Sequence, residues 1–304
     1  MRGPARAILF AAALVPLAGC QTGFDEGKEN ARPLKVDHAL GETKVPGLAK
    51  RPLALTDGAL DAVLALGVRP AAAALPGGRA PAYLARRAPG LKVLPPVTRA
   101  TLRAARATRP DVILGSQDGQ GRLYKRLDRV APTVLSDDGG GPGWKLDLRL
   151  FGEALGRTNQ AEGLLTRWDA RAARARRVVR RLSAGRTLAV VRVVRGGLRE
   201  AGGDSFAGHV LAHVGVPGRR PAGAFRRLAP GRAARVRAST VLLSVAPGAG
   251  STLAALGASG SWPGRHEVVR VDDAVWWGGD GLWAAREALA ELERALAGLS
   301  PRAG

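Results

Sequence analysis

RPLALTDGALDAVLALGVRPAAAAL, Arg51–Leu75, decides how this chain folds. Pro52-Leu-Ala-Leu-Thr56 is an apolar run of strand length. In Asp57–Leu66 the apolar residues recur at helical spacing, and Gly67 stops the pattern. Ala71–Leu75 is a second apolar run. Strand, helix and strand within 25 residues, with neither strand alternating polar and apolar, is the βαβ unit of a parallel sheet covered on both faces.

The same rhythm continues outward. Pro81–Arg87 reads as a helix, Leu91–Leu94 as a strand, and Thr101–Ala107 as a helix that stops before Pro110. DVILG (Asp111–Gly115) is a buried strand, Gly121–Leu127 a helix and Thr133–Leu135 a fifth strand. Upstream, Leu34–Asp37 and Thr43–Val45 flank Gly41 as an opening hairpin. Residues 145–182 break the alternation. After a helix near Leu146–Leu155 and a turn at Gly156–Asn159, a long pattern starts at Gln160. Leu164, Leu165, Trp168, Ala172, Ala175, Val178, Val179 and Leu182 share one face, and Arg167, Arg171, Arg174, Arg177 and Arg181 another. No proline interrupts this helix of about 34 Å, at 1.5 Å per residue, so it is expected to be rigid. Beyond it, Thr187–Val194, Thr240–Val245 and Glu267–Val271 read as strands. Ser205–Val214 reads as a helix capped by Asp204 or Ser205, and Leu282–Leu296 as the closing helix. The expectation is an α/β protein of two lobes, 33–143 and 183–304, with mainly parallel sheets flanked by helices and a connecting helical segment over 144–182.

Before the first lobe, Arg2 and Arg6 precede an apolar run from Ala7 to Ala18, and Leu17-Ala18-Gly19-Cys20 closes it. Basic, apolar and small residues in that order form an export signal over 1–19, too short for a permanent membrane span. Cleavage would leave Cys20 as a lipidated first residue, with 20–32 a polar tether holding the protein on the extracytoplasmic face of a membrane. Cys20 is the sole cysteine, which excludes an internal disulfide.

The 304 residues carry a formal charge of +22, with arginine outnumbering lysine 40 to 7. The excess is spread over the chain: +8 in 33–143, +6 in 144–182 and +7 in 183–304. That spread, export and an aromatic content of 4% argue against a nucleic-acid partner and leave anionic ligands or surfaces. Four histidines, one cysteine and a single methionine at position 1 offer few ligands for bare metal, so no resident cofactor is expected.

HALGETKVPGLAKRPLALTDGALDAVLALGV (His38–Val68) resembles the opening of the iron-siderophore substrate-binding lipoproteins of ABC importers, the class III periplasmic binding proteins. RPDVILGSQ (Arg109–Gln117), YKRLDRVAPTV (Tyr124–Val134) and FGEALGRTNQAEGLL (Phe151–Leu165) follow in the family's order. So do VRVVRGGLREAGGDSFAGHVLAHVGV (Arg192–Val216 with the preceding valine) and VWWGGDGLWAAREALAELERAL (Val275–Leu296). The resemblance spans nearly all of 33–304. It implies a monomer with a cleft between two lobes, a ferric siderophore or related chelate as ligand, iron present only inside that chelate, and delivery to an ABC permease. One departure stands out. The family's docking glutamates, eight residues before the aspartate of a "PD" strand, fall here on Arg103 and on Gly231 beside Arg232. A surface-anchored binding or sensing lipoprotein without the usual permease is therefore the alternative.

A protein that grips an already wrapped iron needs cationic, polar and aromatic groups at the loops after its parallel strands. Those loops offer Thr56, Asp57, Arg79, Tyr83, Arg99, Ser116, Gln117 and Trp144 in the first lobe. In the second they offer Arg195, Arg199, Ser205, Phe206, Trp276 and Trp277. An enzyme reading would start from Gly203-Asp204-Ser205, the tripeptide of one hydrolase class; here it opens a helix late in the chain, where helix capping accounts for it. His209 and His213, four apart, would need further ligands to hold a metal.

Overall fold

The computed structural model describes residues 32–137, 143–216, 220–258 and 266–299. The signal segment, Cys20 and all but the last residue of the tether lie outside them. The first lobe contains strands β1 (Leu34–His38), β2 (Gly41–Val45), β3 (Pro52–Ala54), β4 (Ala72–Ala74), β5 (Val93–Leu94), β6 (Val112–Ser116) and β7 (Thr133–Ser136). Its helices are α1 (Asp57–Ala65), α2 (Ala82–Ala85), α3 (Leu102–Ala107), α4 (Gln117–Gln120) and α5 (Tyr124–Leu127). β3 to β7 form a five-stranded sheet in the order β5-β4-β3-β6-β7, every pair parallel, while β1 and β2 form the expected hairpin. Thr56 Oγ accepts from Ala59 N at 3.0 Å to start α1, and Gly67, at φ 67°, lets the chain leave it in a left-handed conformation.

Two helices follow, α6 (Gly143–Ala154) and α7 (Thr158–Leu182). Gly156, at φ 69° and placed where a β-carbon would collide with the Gly47 carbonyl, makes the turn between them. The 25-residue α7 begins two residues earlier than the sequence suggests and runs unbroken through Gly163. The second lobe has β8 (Leu188–Val194), β9 (Gly197–Ala201), α8 (Phe206–His213), β10 (Phe225–Leu228), β11 (Thr240–Val245) and α9 (Gly250–Ala258). It closes with β12 (Glu267–Arg270), α10 (Asp273–Trp276) and α11 (Leu282–Ala297). Its sheet runs β10-β9-β8-β11-β12. β8, β11 and β12 are parallel, whereas β9 and β10 are antiparallel additions that the sequence did not announce.

Each sheet buries both faces. Leu53, Leu55 and Ile113 point to an outer core of the first lobe, and Val191, Val193 and Leu243 to an outer core of the second. The alternate residues Ala54, Leu114, Val190 and Leu242 join one inner core. That core takes in Leu60 and Val63 of α1, Phe151 of α6, Trp168 of α7, Leu211 of α8 and Leu289 and Leu292 of α11. The two lobes thus share a layer of helices, and their hydrophobic cores are continuous across the junction.

Candidate functional site

The second lobe carries a row of cations across its sheet. Ser244 on β11 pairs with Arg192 on β8, Arg192 with Arg199 on β9, and Arg199 with Arg227 on β10, so all four side chains share a face near the carboxyl ends of the parallel strands. Arg192 is held in place: its Nε and Nη2 donate to the two carboxylate oxygens of Asp273 at 2.7 and 2.6 Å, and Ser244 Oγ donates to the same carboxylate at 2.9 Å. Its guanidinium lies 5.8 Å from the ring centroid of Trp277. Arg199 and Arg227 have no carboxylate partner among the described residues. Both lean on Phe225, at 4.7 and 5.6 Å from its centroid, and Phe225 is 37% exposed. Two like charges directly opposite on neighbouring strands cost stability, and an anion between them would reverse the sign.

The first lobe contributes loops. Arg79 after β4 and Arg99 after β5 are exposed, as is Gln117 after β6. Ser116 is occupied as an N-cap, its Oγ accepting from Gly119 N at 3.2 Å. Between the lobes, Gly58 of α1 sits against Asp280: a methyl group added there would lie 2.7 Å from the Asp280 carbonyl and 2.8 Å from its carboxylate. Beneath, Asp61 is wholly buried and its carboxylate accepts from Trp283 N at 2.9 Å and Ala284 N at 3.0 Å, capping α11 from the other lobe. Burial raises the Asp61 carboxyl to about 7 against the pull of those two donors; burial and the nearby Asp280 raise Asp57 to about 6. Arg87 bridges the same seam, donating to Glu287 at 2.9 Å and lying 4.0 Å from the Trp283 centroid.

The expected site residues separate into two groups. Arg79, Arg99 and Arg195 are exposed on loops after strands and Gln117 is exposed at the start of α4; Arg199 and Trp277 are half-buried in or beside the cationic row. Tyr83, Trp144, Phe206 and Trp276 are buried, which corrects their reading as cleft-facing groups. Trp144 meets Trp168 edge-on at 5.8 Å, Trp276 Nε1 donates to Glu291 at 2.8 Å, and Tyr83, 1% exposed, packs under the seam near Asp61 and Asp57. Ser205 Oγ accepts from Gly208 N at 2.9 Å and donates to the Gly202 carbonyl at 2.7 Å, which is a helix cap. His213 lies parallel to the Trp168 ring at 5.9 Å, with Nε2 3.3 Å from Asp169. Arg192, Asp273, Ser244, Arg227, Phe225 and Asp61 were not singled out from the sequence. Asp61 did leave a signal, an acid inside the apolar face made by Leu60, Val63 and Leu64.

Two lobes with shared helices and a cation-lined face at the strand ends define a solute-binding architecture. Residues 54–218 match the Periplasmic binding protein family, and the chain belongs to it. Over 213 residues, 68% of its length, it is 28% identical to the probable siderophore-binding lipoprotein YfiY of Bacillus subtilis (strain 168). It is also 28% identical, over 55% of its length, to the achromobactin-binding periplasmic protein of Dickeya dadantii (strain 3937). The chain spans 65% and 56% of these two relatives. Its fold matches Staphylococcus aureus SirA complexed with staphyloferrin B at a TM-score of 0.74 and 21% identity, covering 87% of this chain and 98% of that one.

Proposed function

We propose that this protein captures an anionic ferric chelate of the siderophore class between its two lobes, held outside the cell by lipid on Cys20. The observation that carries the reading is the Arg199–Arg227 pair around the exposed ring of Phe225, beside Arg192 fixed by Asp273. Guanidinium forks suit carboxylate, hydroxamate or catecholate oxygens, and the aromatic faces suit the ligand's planar parts. Arg79, Arg99, Gln117, Arg195 and Trp277 complete the ligand face in this reading, with the buried aromatics supporting it from behind. The names of the two curated relatives point to the same ligand class. The ligand then passes to an ABC permease.

Arg103 and Gly231, which stand exposed where the resemblance places docking acids, with exposed Arg232 beside the second, favour another reading: binding or sensing without the usual permease. Titrating the protein with carboxylate, hydroxamate and catecholate ferric chelates, followed by tryptophan fluorescence, tests the first claim. Growth on the bound chelate after deletion of an adjacent permease gene separates the two readings.

A further inference from the structure

At the opposite pole of the first lobe, where β3, β4 and β5 begin, the surface holds a cavity of about 600 Å³. Its apolar floor is Leu64, Val68 and Leu91, and five cations stand around it: Lys50, Arg51, Arg69, Arg87 and Lys92. No acidic residue lines it. Two of the five are committed. Arg51 donates to the carbonyls of Thr108 at 2.8 Å and Arg109 at 3.2 Å, and Arg87 is paired with Glu287. A second carboxylate, Asp111, is engaged with backbone, accepting from Lys50 N at 2.6 Å and Arg51 N at 2.9 Å. That leaves the side chains of Lys50, Arg69 and Lys92, all exposed, with no hydrogen bond or ion pair among the described residues.

Three cations without side-chain partners around one concavity repel one another, and the nearby carboxylates of Asp111 and Glu287 hold other groups rather than these three. Compact, multiply charged anions reverse that balance, and lysine and arginine together supply both point-charge and forked donors to phosphate oxygens. The position adds a second argument. Leu34, where the first strand starts, pairs with Val45, and Lys50 follows five residues later, at most about 17 Å along the chain. Leu34 therefore lies within about 25 Å of Lys50 at the cavity's edge.

We propose that this cavity is a phosphate-binding site, suited to the phosphodiester of an anionic membrane lipid or to free inorganic phosphate. It shares no residue with the ligand site above, so either can fail alone. The test uses the chain from residue 20 with Cys20→Ser, so that no acyl chain contributes, and two variants of equal charge. One is Lys50→Gln/Arg69→Gln/Lys92→Gln at the cavity; the other is Arg174→Gln/Arg177→Gln/Arg181→Gln at the far end of α7. Binding to vesicles of phosphatidylglycerol and phosphatidylcholine, and separately to inorganic phosphate, is measured at fixed ionic strength. A tenfold or greater loss of vesicle binding in the cavity variant, against threefold or less in the helix variant, supports a lipid headgroup. The same contrast with inorganic phosphate alone supports free phosphate. Equal losses in both variants, with both probes, would overturn the proposal and leave only diffuse surface charge.

Discussion

Asp61 of the first lobe holds the start of the second lobe's closing helix: its two carboxylate oxygens accept the backbone N–H groups of Trp283 and Ala284 at 2.9 and 3.0 Å, in a site without solvent access. A helix N-terminus is a natural seat for a carboxylate, and here the seat and the carboxylate come from opposite lobes. Removing the side chain with Asp61→Ala orphans two buried donors and should lower the unfolding free energy by about 2–4 kcal/mol. Urea denaturation measures it; a change below about 0.5 kcal/mol, the scale of an ordinary surface substitution, would contradict the assignment.

The same carboxyl makes stability depend on pH. It titrates near 4 in the unfolded chain and is pushed up to about 7 in the folded one. Its contribution is therefore largest below about pH 4, declines as pH rises, and is level above about 7. The lowered His38, His209 and His213 act with the opposite sign, so the contrast with a variant is the informative quantity. Between pH 7.5 and 5, wild type should gain on the order of 1–3 kcal/mol relative to Asp61→Asn. Parallel pH profiles would count against the buried carboxyl.

Gly58 permits the lobes to touch. A methyl group there would stand 2.7 Å from the Asp280 carbonyl, inside any normal contact. Gly58→Ala should cost about 1–3 kcal/mol by forcing the seam apart. Denaturation of that variant should show the loss, whereas Gly78→Ala, with open space but a positive φ, should cost no more than strain at an exposed turn.

Much of this fold was legible in the sequence. The βαβ unit at Arg51–Leu75, the hairpin around Gly41 and the long helix each carry a period that belongs to one kind of element. β9 and β10 escaped because GLREA and FRRL are short, and FRRL holds two arginines on an edge strand whose first three residues are exposed. The site was less legible, for a related reason. Tyr83, Trp144, Phe206 and Trp276 follow strands in sequence, but each lies on a helix face that packs inward, and composition does not distinguish the two faces of a short helix. Arg227 and Phe225 became visible only when strand register placed them beside Arg199.

Ligand capture should leave the lobes nearly where they are. The inner core is continuous from Ala54 to Leu242, α7 runs 25 residues, and Asp61 and Arg87 clasp α11 across the seam. Small-angle scattering should give radii of gyration equal to within about 0.5 Å with and without chelate, whereas hinge-type closure would show as a decrease of several ångströms.

In the proposed binding mode the guanidinium pair on β9 and β10 grips an anionic ferric chelate. Fluorescence titration with the best-bound ferric chelate of the panel, on wild type, Arg199→Ala, Arg227→Ala and the control Arg174→Ala, tests it most directly. Each pair member contributes a charge-assisted hydrogen bond of about 1.5–3 kcal/mol in this reading, so each single variant should bind on the order of ten- to a hundredfold more weakly while the control binds as wild type. Equal, slight weakening in all three variants, or no saturable binding of any ferric chelate by wild type, would contradict it.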